Sequence, residues 1–160
     1  MSKKGLIVYK SLLNRGDMNI ADKLILSIIH KKELSKKEKD KRGVIVPVNT
    51  FVDLTGLCER TIKGRIKYLY TKNFLEVRNS SFNFYKINTE KVRIDKTYIL
   101  IPNNILKHTE LTLIEKIMLA LFYNYTRKNR VYYGKNSTLS KSLGITVQSV
   151  RSTIRKFKKL

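Results

Sequence analysis

The chain has 160 residues and carries 34 Lys plus Arg against 12 Asp plus Glu, a formal net charge of +22. Hydrophobic residues make up 42%, enough for a packed core, so the charge excess does not signal disorder. A single cysteine excludes a disulfide framework within one chain, and no apolar run approaches the ~20 residues of a membrane span. The opening MSKKGLIVYKSLL has no small-residue cleavage site, so no secretion signal is expected. Residues 1–88 hold 19 basic and 8 acidic groups and residues 89–160 hold 15 and 4, net +11 in each. A basic tail would split unevenly; an even split calls for a polyanion long enough to touch both halves. The expectation is a cytoplasmic protein with a polyanionic partner and no membrane contact.

In chain order, Ile20, Leu24, Ile28 and Ile29 follow helical spacing behind Asn19, a suitable cap. The helix is expected to run on toward the block Lys31–Arg42, where Glu33–Lys37 and Glu38–Arg42 are i,i+4 pairs. That block, broken by Glu33, Glu38 and Asp40, reads as a solvated helix end or loop. GVIVP reads as a short strand, with Pro47 opening the next helix. VNTFVDLTGL is a short amphipathic segment ending at Gly56, where a tight turn needs a permissive backbone. Cys58-Glu59-Arg60 opens another helix, with Ile62, Ile66 and Leu69 as its buried stripe and Asn73 at its end. Cys58 reads as a small, partly buried turn residue. FLEVRNSSFNFYKI then alternates about Asn79-Ser80-Ser81, a β-hairpin pattern. The stretch 89–96 reads as a linker. Further on, LTLIEKIMLALFYNY is a long helix, NRVYY a strand, Asn136–Leu143 a helix and Thr146–Lys159 the last one, with Val150, Ile154 and Phe157 inward. Tyr68, Tyr70, Tyr123, Tyr125, Tyr132 and Tyr133 read as core or rim rather than as stacking platforms for single strands.

The chain repeats itself. At an offset of 93, LIVYKSLLNRGDMNIADKLILSIIH falls on ILIPNNILKHTELTLIEKIMLALFY, pairing Leu13 with Leu106, Lys23 with Lys116 and Leu26 with Leu119. At an offset of 88, TGLCERTIKGRIKYL falls on LGITVQSVRSTIRKF, pairing Gly56 with Gly144 and Ile62 with Val150. The first copy is longer by five residues between the two blocks. Helix, strand, helix, tight turn, helix, hairpin is the order of a winged helix-turn-helix, and the turn signature TGLCERTI recurs as LGITVQSV. The expected fold is mainly α with small β-hairpins: two tandem winged helix-turn-helix domains related by an internal repeat. The domains are 1–88 and 97–160, with the second wing absent or cut short.

The segments YILIPNNILKHTELTLIEKIMLALFYNY and NSTLSKSLGITVQSVRSTIRKFKKL together resemble the winged-helix domains of plasmid and phage replication initiators of low-GC Gram-positive bacteria. They also resemble related regulators on mobile elements. The resemblance covers about 99–159; the first half is similar only through the repeat. Tandem winged helices are the architecture of theta-type plasmid initiators, so the resemblance implies binding to repeated origin sites and a plasmid- or nucleoid-associated location. This chain departs from that pattern in being short and in lacking the second wing.

In a helix-turn-helix the second helix enters the major groove, N-terminal residues first. Opposite the apolar stripe of the first such helix lie Glu59, Arg60, Lys63 and Lys67, flanked by Thr61, Gly64 and Arg65. In the second they are Thr146, Gln148, Ser149, Arg151, Ser152, Arg155 and Lys156. Arg bonds bidentately to guanine and Gln to adenine, so Arg60, Gln148 and Arg151 are assigned to base edges. Lys63, Lys67, Arg155 and Lys156 are assigned to phosphates. Arg78, Asn79 and Ser80 at the hairpin tip are placed to reach the minor groove or the phosphates. The expected partner is double-stranded DNA, met by both helices on adjacent segments of one duplex, with self-association confined to repeated sites.

No enzyme is expected. His30 and His108 stand apart, Cys58 has no cysteine partner for zinc, and no cofactor or metal is called for. GKNST at 134–138 lacks the earlier Gly of a P-loop, position 129 being Asn. The expectation is a sequence-specific duplex-binding protein, a plasmid or phage replication initiator or control protein. The alternatives are a transcriptional regulator, a relaxosome or architectural accessory protein, and an RNA-binding or protein-inhibitor module carrying a helix-turn-helix.

Overall fold

A computed structural model describes residues 5–36, 42–127 and 132–159. It is mixed α/β, with eight helices and two small antiparallel sheets among the described residues. Strand β1 (Leu6–Tyr9) leads into a one-turn helix α1 (Lys10–Leu13) and the long helix α2 (Ile20–Ser35). Strand β2 (Val44–Ile45), helices α3 (Val48–Thr55) and α4 (Glu59–Thr71), and the hairpin β3 (Leu75–Asn79) and β4 (Asn83–Ile87) follow. The second half opens the same way, with β5 (Tyr98–Ile101), α5 (Asn103–Leu106) and α6 (Leu113–Thr126), and closes with α7 (Asn136–Leu143) and α8 (Val147–Phe157).

The β1–β5 ribbon joins the two halves. LIVY and YILI are short apolar runs of the kind that periodicity alone assigns to neither strand nor helix. They pair antiparallel as Leu6↔Ile101, Ile7↔Leu100 and Val8↔Ile99. Shifting by the repeat offset of 93 carries Ile7 onto Leu100, and carries the Leu6–Ile101 pair onto the Ile99–Val8 pair. The register is therefore unchanged when the two copies are exchanged, and a local dyad passes between Ile7 and Leu100. Leu6, Val8, Ile99 and Ile101 are all buried. α2 packs on β1 and α6 on β5, so the ribbon lies inside one continuous core drawn from both halves.

The repeat is also visible in hydrogen bonds. Asn19 and Asp22 form a capping box at the start of α2, and Thr112 and Glu115 form its counterpart on α6. Lys23 Nζ donates to the Leu13 carbonyl at 2.7 Å, and Lys116 Nζ to the Leu106 carbonyl at 2.7 Å. Each pair of counterparts is 93 residues apart.

Several expectations need correction or fall elsewhere. α2 ends at Ser35, and Glu33 accepts the Ile87 N–H at 3.2 Å, which ties the helix to the hairpin. Lys37 and Glu38, members of the two expected helical pairs, lie outside the described residues. So does most of the expected strand NRVYY; Tyr132 and Tyr133 are in no strand, and Tyr133 projects into solvent rather than forming core or rim. The stretch 89–96 is held down: Val92 is 1% exposed, the Lys91 carbonyl accepts from Arg15 and the Asp95 N–H donates to Ser11.

Candidate nucleic-acid interface

Two helix–turn–helix corners follow from the same local chemistry. α3 closes on Gly56 at φ 72° and α7 on Gly144 at φ 67°, the left-handed conformation in which a β-carbon is strained. At the first corner Thr55 Oγ1 donates to the Phe51 carbonyl and accepts the Leu57 N–H at 3.2 Å. At the second, Ser140 Oγ donates to the Ile145 carbonyl, and the Ile145 N–H returns to the Ser140 carbonyl. The following helices start on Cys58 and on Thr146, whose hydroxyl accepts the Ser149 N–H at 3.1 Å. Cys58 is exposed rather than partly buried, because an N-cap side chain looks outward from the helix start; bonds from Thr61 hold its thiol below the usual range.

On α4 the stripe Ile62, Ile66 and Leu69 faces inward. On α8 the buried residues are Val150 and Thr153, while Ile154 and Phe157 are only half-buried. The inward face of α8 is turned toward Thr153, with Phe157 edge-on to Phe122. The outward faces carry Arg60, Thr61, Lys63 and Lys67 on α4, and Gln148, Ser149, Arg151, Ser152 and Arg155 on α8, all exposed. Thr146 at the α8 cap is exposed, as are Arg78, Asn79 and Ser80 at the hairpin tip. β2 pairs with β4 on the side opposite β3, which braces the hairpin against the α3–α4 unit. A cleft of about 370 Å³ lies between α4 and the hairpin, bordered by Lys63, Lys67, Tyr70, Asn79 and Asn83.

Two of the fifteen predicted residues are bound by a carboxylate of the long first helix of their copy. Arg65 binds the fully buried Asp22 through both guanidinium edges, Nε to Oδ1 at 2.7 Å and Nη2 to Oδ2 at 2.5 Å, and stacks on Tyr68. Lys156 reaches Glu115 at 3.0 Å and the Glu110 carbonyl at 3.1 Å. The capping acid of each long first helix thus grips the exposed helix of its own copy. Charge pattern alone does not reveal this, because the partners lie 43 and 41 residues apart. Lys63 with Glu59 and Arg78 with Glu76 are exposed pairs, which hold little energy and leave both cations available to a ligand.

Burial works against ionising Glu115, but the Thr112 N–H and the Lys156 ammonium together hold its carboxyl below the ordinary value of 4.5. A carboxylate with a depressed folded value stabilises fully above its unfolded value and loses that contribution as pH falls through the folded one. Glu115→Gln is therefore expected to flatten the loss of stability below about pH 4.5, measured as denaturant midpoint against pH. An unchanged acid limb would show that the Glu115 cluster does not drive it.

Among the described residues no group of His, Cys, Asp or Glu could hold a metal ion, and no helix is long and apolar enough to cross a membrane. Comparison of the chain with protein-family models, with curated proteins and with solved structures found no match.

Proposed function

We propose that this chain is a sequence-specific double-stranded DNA-binding protein built from two winged helix-turn-helix units, with α4 and α8 as the recognition helices. The observation that carries the reading is the repetition of one corner. Each copy has a glycine in the left-handed conformation, followed by a helix with an exposed polar side: Arg60, Thr61, Lys63 and Lys67 in the first, Gln148, Ser149, Arg151, Ser152 and Arg155 in the second. These residue types bond base edges and phosphates, and the hairpin β3–β4 adds Arg78, Asn79 and Ser80 beside α4. The charge of +11 on each half supports a polyanion that meets both. The resemblance of 99–159 to winged-helix domains of plasmid and phage initiators makes replication initiation or its control on a mobile element the proposed role.

The test is selection of duplexes from a random library at roughly 150 mM salt with excess non-specific competitor. A sharp site is expected, bound with specificity that survives the competitor. Diffuse enrichment that vanishes with salt, or displacement by A-form or single-stranded RNA, would overturn the reading. Within the selected site, Arg151→Ala and Gln148→Ala are each expected to cost about 1–3 kcal/mol and to relax preference at one base position. Lys67→Ala should weaken all duplexes alike. Equal behaviour of the two classes would show that base and phosphate contacts are wrongly assigned.

A further inference from the structure

Besides the β1–β5 ribbon, the two halves share one buried ammonium group. Lys23, in the first turn of α2, is 1% exposed, and its Nζ donates to the Leu13 carbonyl at 2.7 Å and to the Ser142 carbonyl at 2.9 Å. Both acceptors sit at helix C-terminal ends, where carbonyls have no donor of their own helix. Leu13 ends α1, and Ser142 lies in the last turn of α7, just before the Gly144 corner. Ser142 Oγ also donates to Asn14 Oδ1 at 3.2 Å. The corner that leads into α8 is thus bonded to the α1–α2 corner of the other copy. Asp22, the neighbour of Lys23, holds Arg65 of α4. Consecutive residues of one helical turn therefore grip α4 on one side and the approach to α8 on the other.

The repeat supplies an internal comparison. Lys116, the counterpart of Lys23, donates to the Leu106 carbonyl, is half-buried and bonds within its own copy. The local dyad of the β1–β5 ribbon thus does not extend to this contact: only the lysine of the first copy reaches across. A buried ammonium with carbonyl partners resists displacement, because any movement that breaks the bonds leaves the charge unpaired and dry.

We infer that Lys23 is a positioning residue that clamps the second helix–turn–helix against the first half, so that α4 and α8 accept two half-sites at a single separation along one duplex. This rests on the DNA-binding function proposed above and adds a constraint on its target. A free tether would tolerate a range of separations; a clamped pair loses the second contact as soon as the spacing changes.

The test takes the selected duplex and lengthens or shortens the segment between its half-sites by one or two base pairs. The wild-type chain is expected to lose roughly 10²-fold in affinity when the spacing changes, the scale of avidity lost when geometry forbids simultaneous engagement. Lys23→Met is expected to flatten that profile to within about threefold while keeping its affinity for an isolated half-site. Lys116→Met, which removes the equivalent bond within one copy, is expected to keep the steep profile. A second readout needs no DNA: the distance distribution between spin labels at the exposed positions Thr71 and Lys158, with Cys58→Ser to remove the native thiol. It should be narrow in the wild type and in Lys116→Met, and broad in Lys23→Met. Should Lys23→Met fail to fold, Ser142→Ala, which removes the Asn14 bond at the same joint, serves in its place and should broaden the distribution partway. Steep profiles and narrow distances in every variant would overturn the clamp. A wild type that selects no duplex would overturn the proposed function instead, and the distances alone would then decide the clamp.

Discussion

Duplex affinity is expected to fall about 10³-fold between roughly 50 and 200 mM salt, with a log–log slope near −5. The figure follows from the cations left available by the fold. Arg60, Lys63 and Lys67 on α4, Arg78 at the hairpin tip, and Arg151 and Arg155 on α8 are exposed. Arg65 and Lys156 are excluded, because each already neutralises a carboxylate within the fold. Six cations laid against the duplex, Arg60 and Arg151 over base edges and the other four on phosphates, displace about 0.9 counterions each and give that slope. Fluorescence anisotropy of a labelled duplex across a salt series measures it directly. A slope near −3.6 would mean that only the first half engages the DNA, one near −1.8 that only the second does, at about 0.9 per cation, and a flat line would exclude a phosphate-dominated interface.

Ile62→Ala is expected to destabilise the fold by about 3–4 kcal/mol, measured as a shift of the denaturant midpoint at constant slope. Ile62 is 0% exposed and heads the stripe that seats α4, alongside Ile66 and Leu69. Removing three carbons there leaves a cavity in a close-packed core, the one that also holds the buried rings Phe51 and Tyr85 edge-on to each other. Ile154→Ala on α8 should cost less than half as much, because Ile154 is only half-buried. Equal costs would mean that α8 is seated as deeply as α4. The asymmetry also predicts an order of loss on warming. α8 makes fewer buried contacts and should loosen before α4, visible as earlier exchange of its amide protons.

Much of the candidate site is legible in the sequence. The bounds of α3, α4 and α7 follow from helical periodicity and from Gly56 and Gly144, because caps and left-handed turns are local chemistry written into a few adjacent residues. The exposed face of α4 follows from the same periodicity. On α8 the pattern misleads in part. Val150, Ile154 and Phe157 read as one stripe, yet Thr153 takes the buried place, since packing and not hydropathy alone sets the rotation of a short helix.

The repeat, the two helix–turn–helix corners and an outward basic surface on both halves are written in neighbouring residues. The packing of the folded chain sets which of those charges are free. Asp22 takes Arg65, Glu115 takes Lys156, and Lys23 is withdrawn from the surface altogether. It also decided that LIVY and YILI are strands that pair with each other across the two copies. The difference is one of range. Caps and helical stripes are set by residues a few positions apart, whereas these ion pairs, the Lys23 clamp and the ribbon join groups 41 to 119 residues apart. Such contacts have no local signature, because they form only when the folded chain brings the partners together.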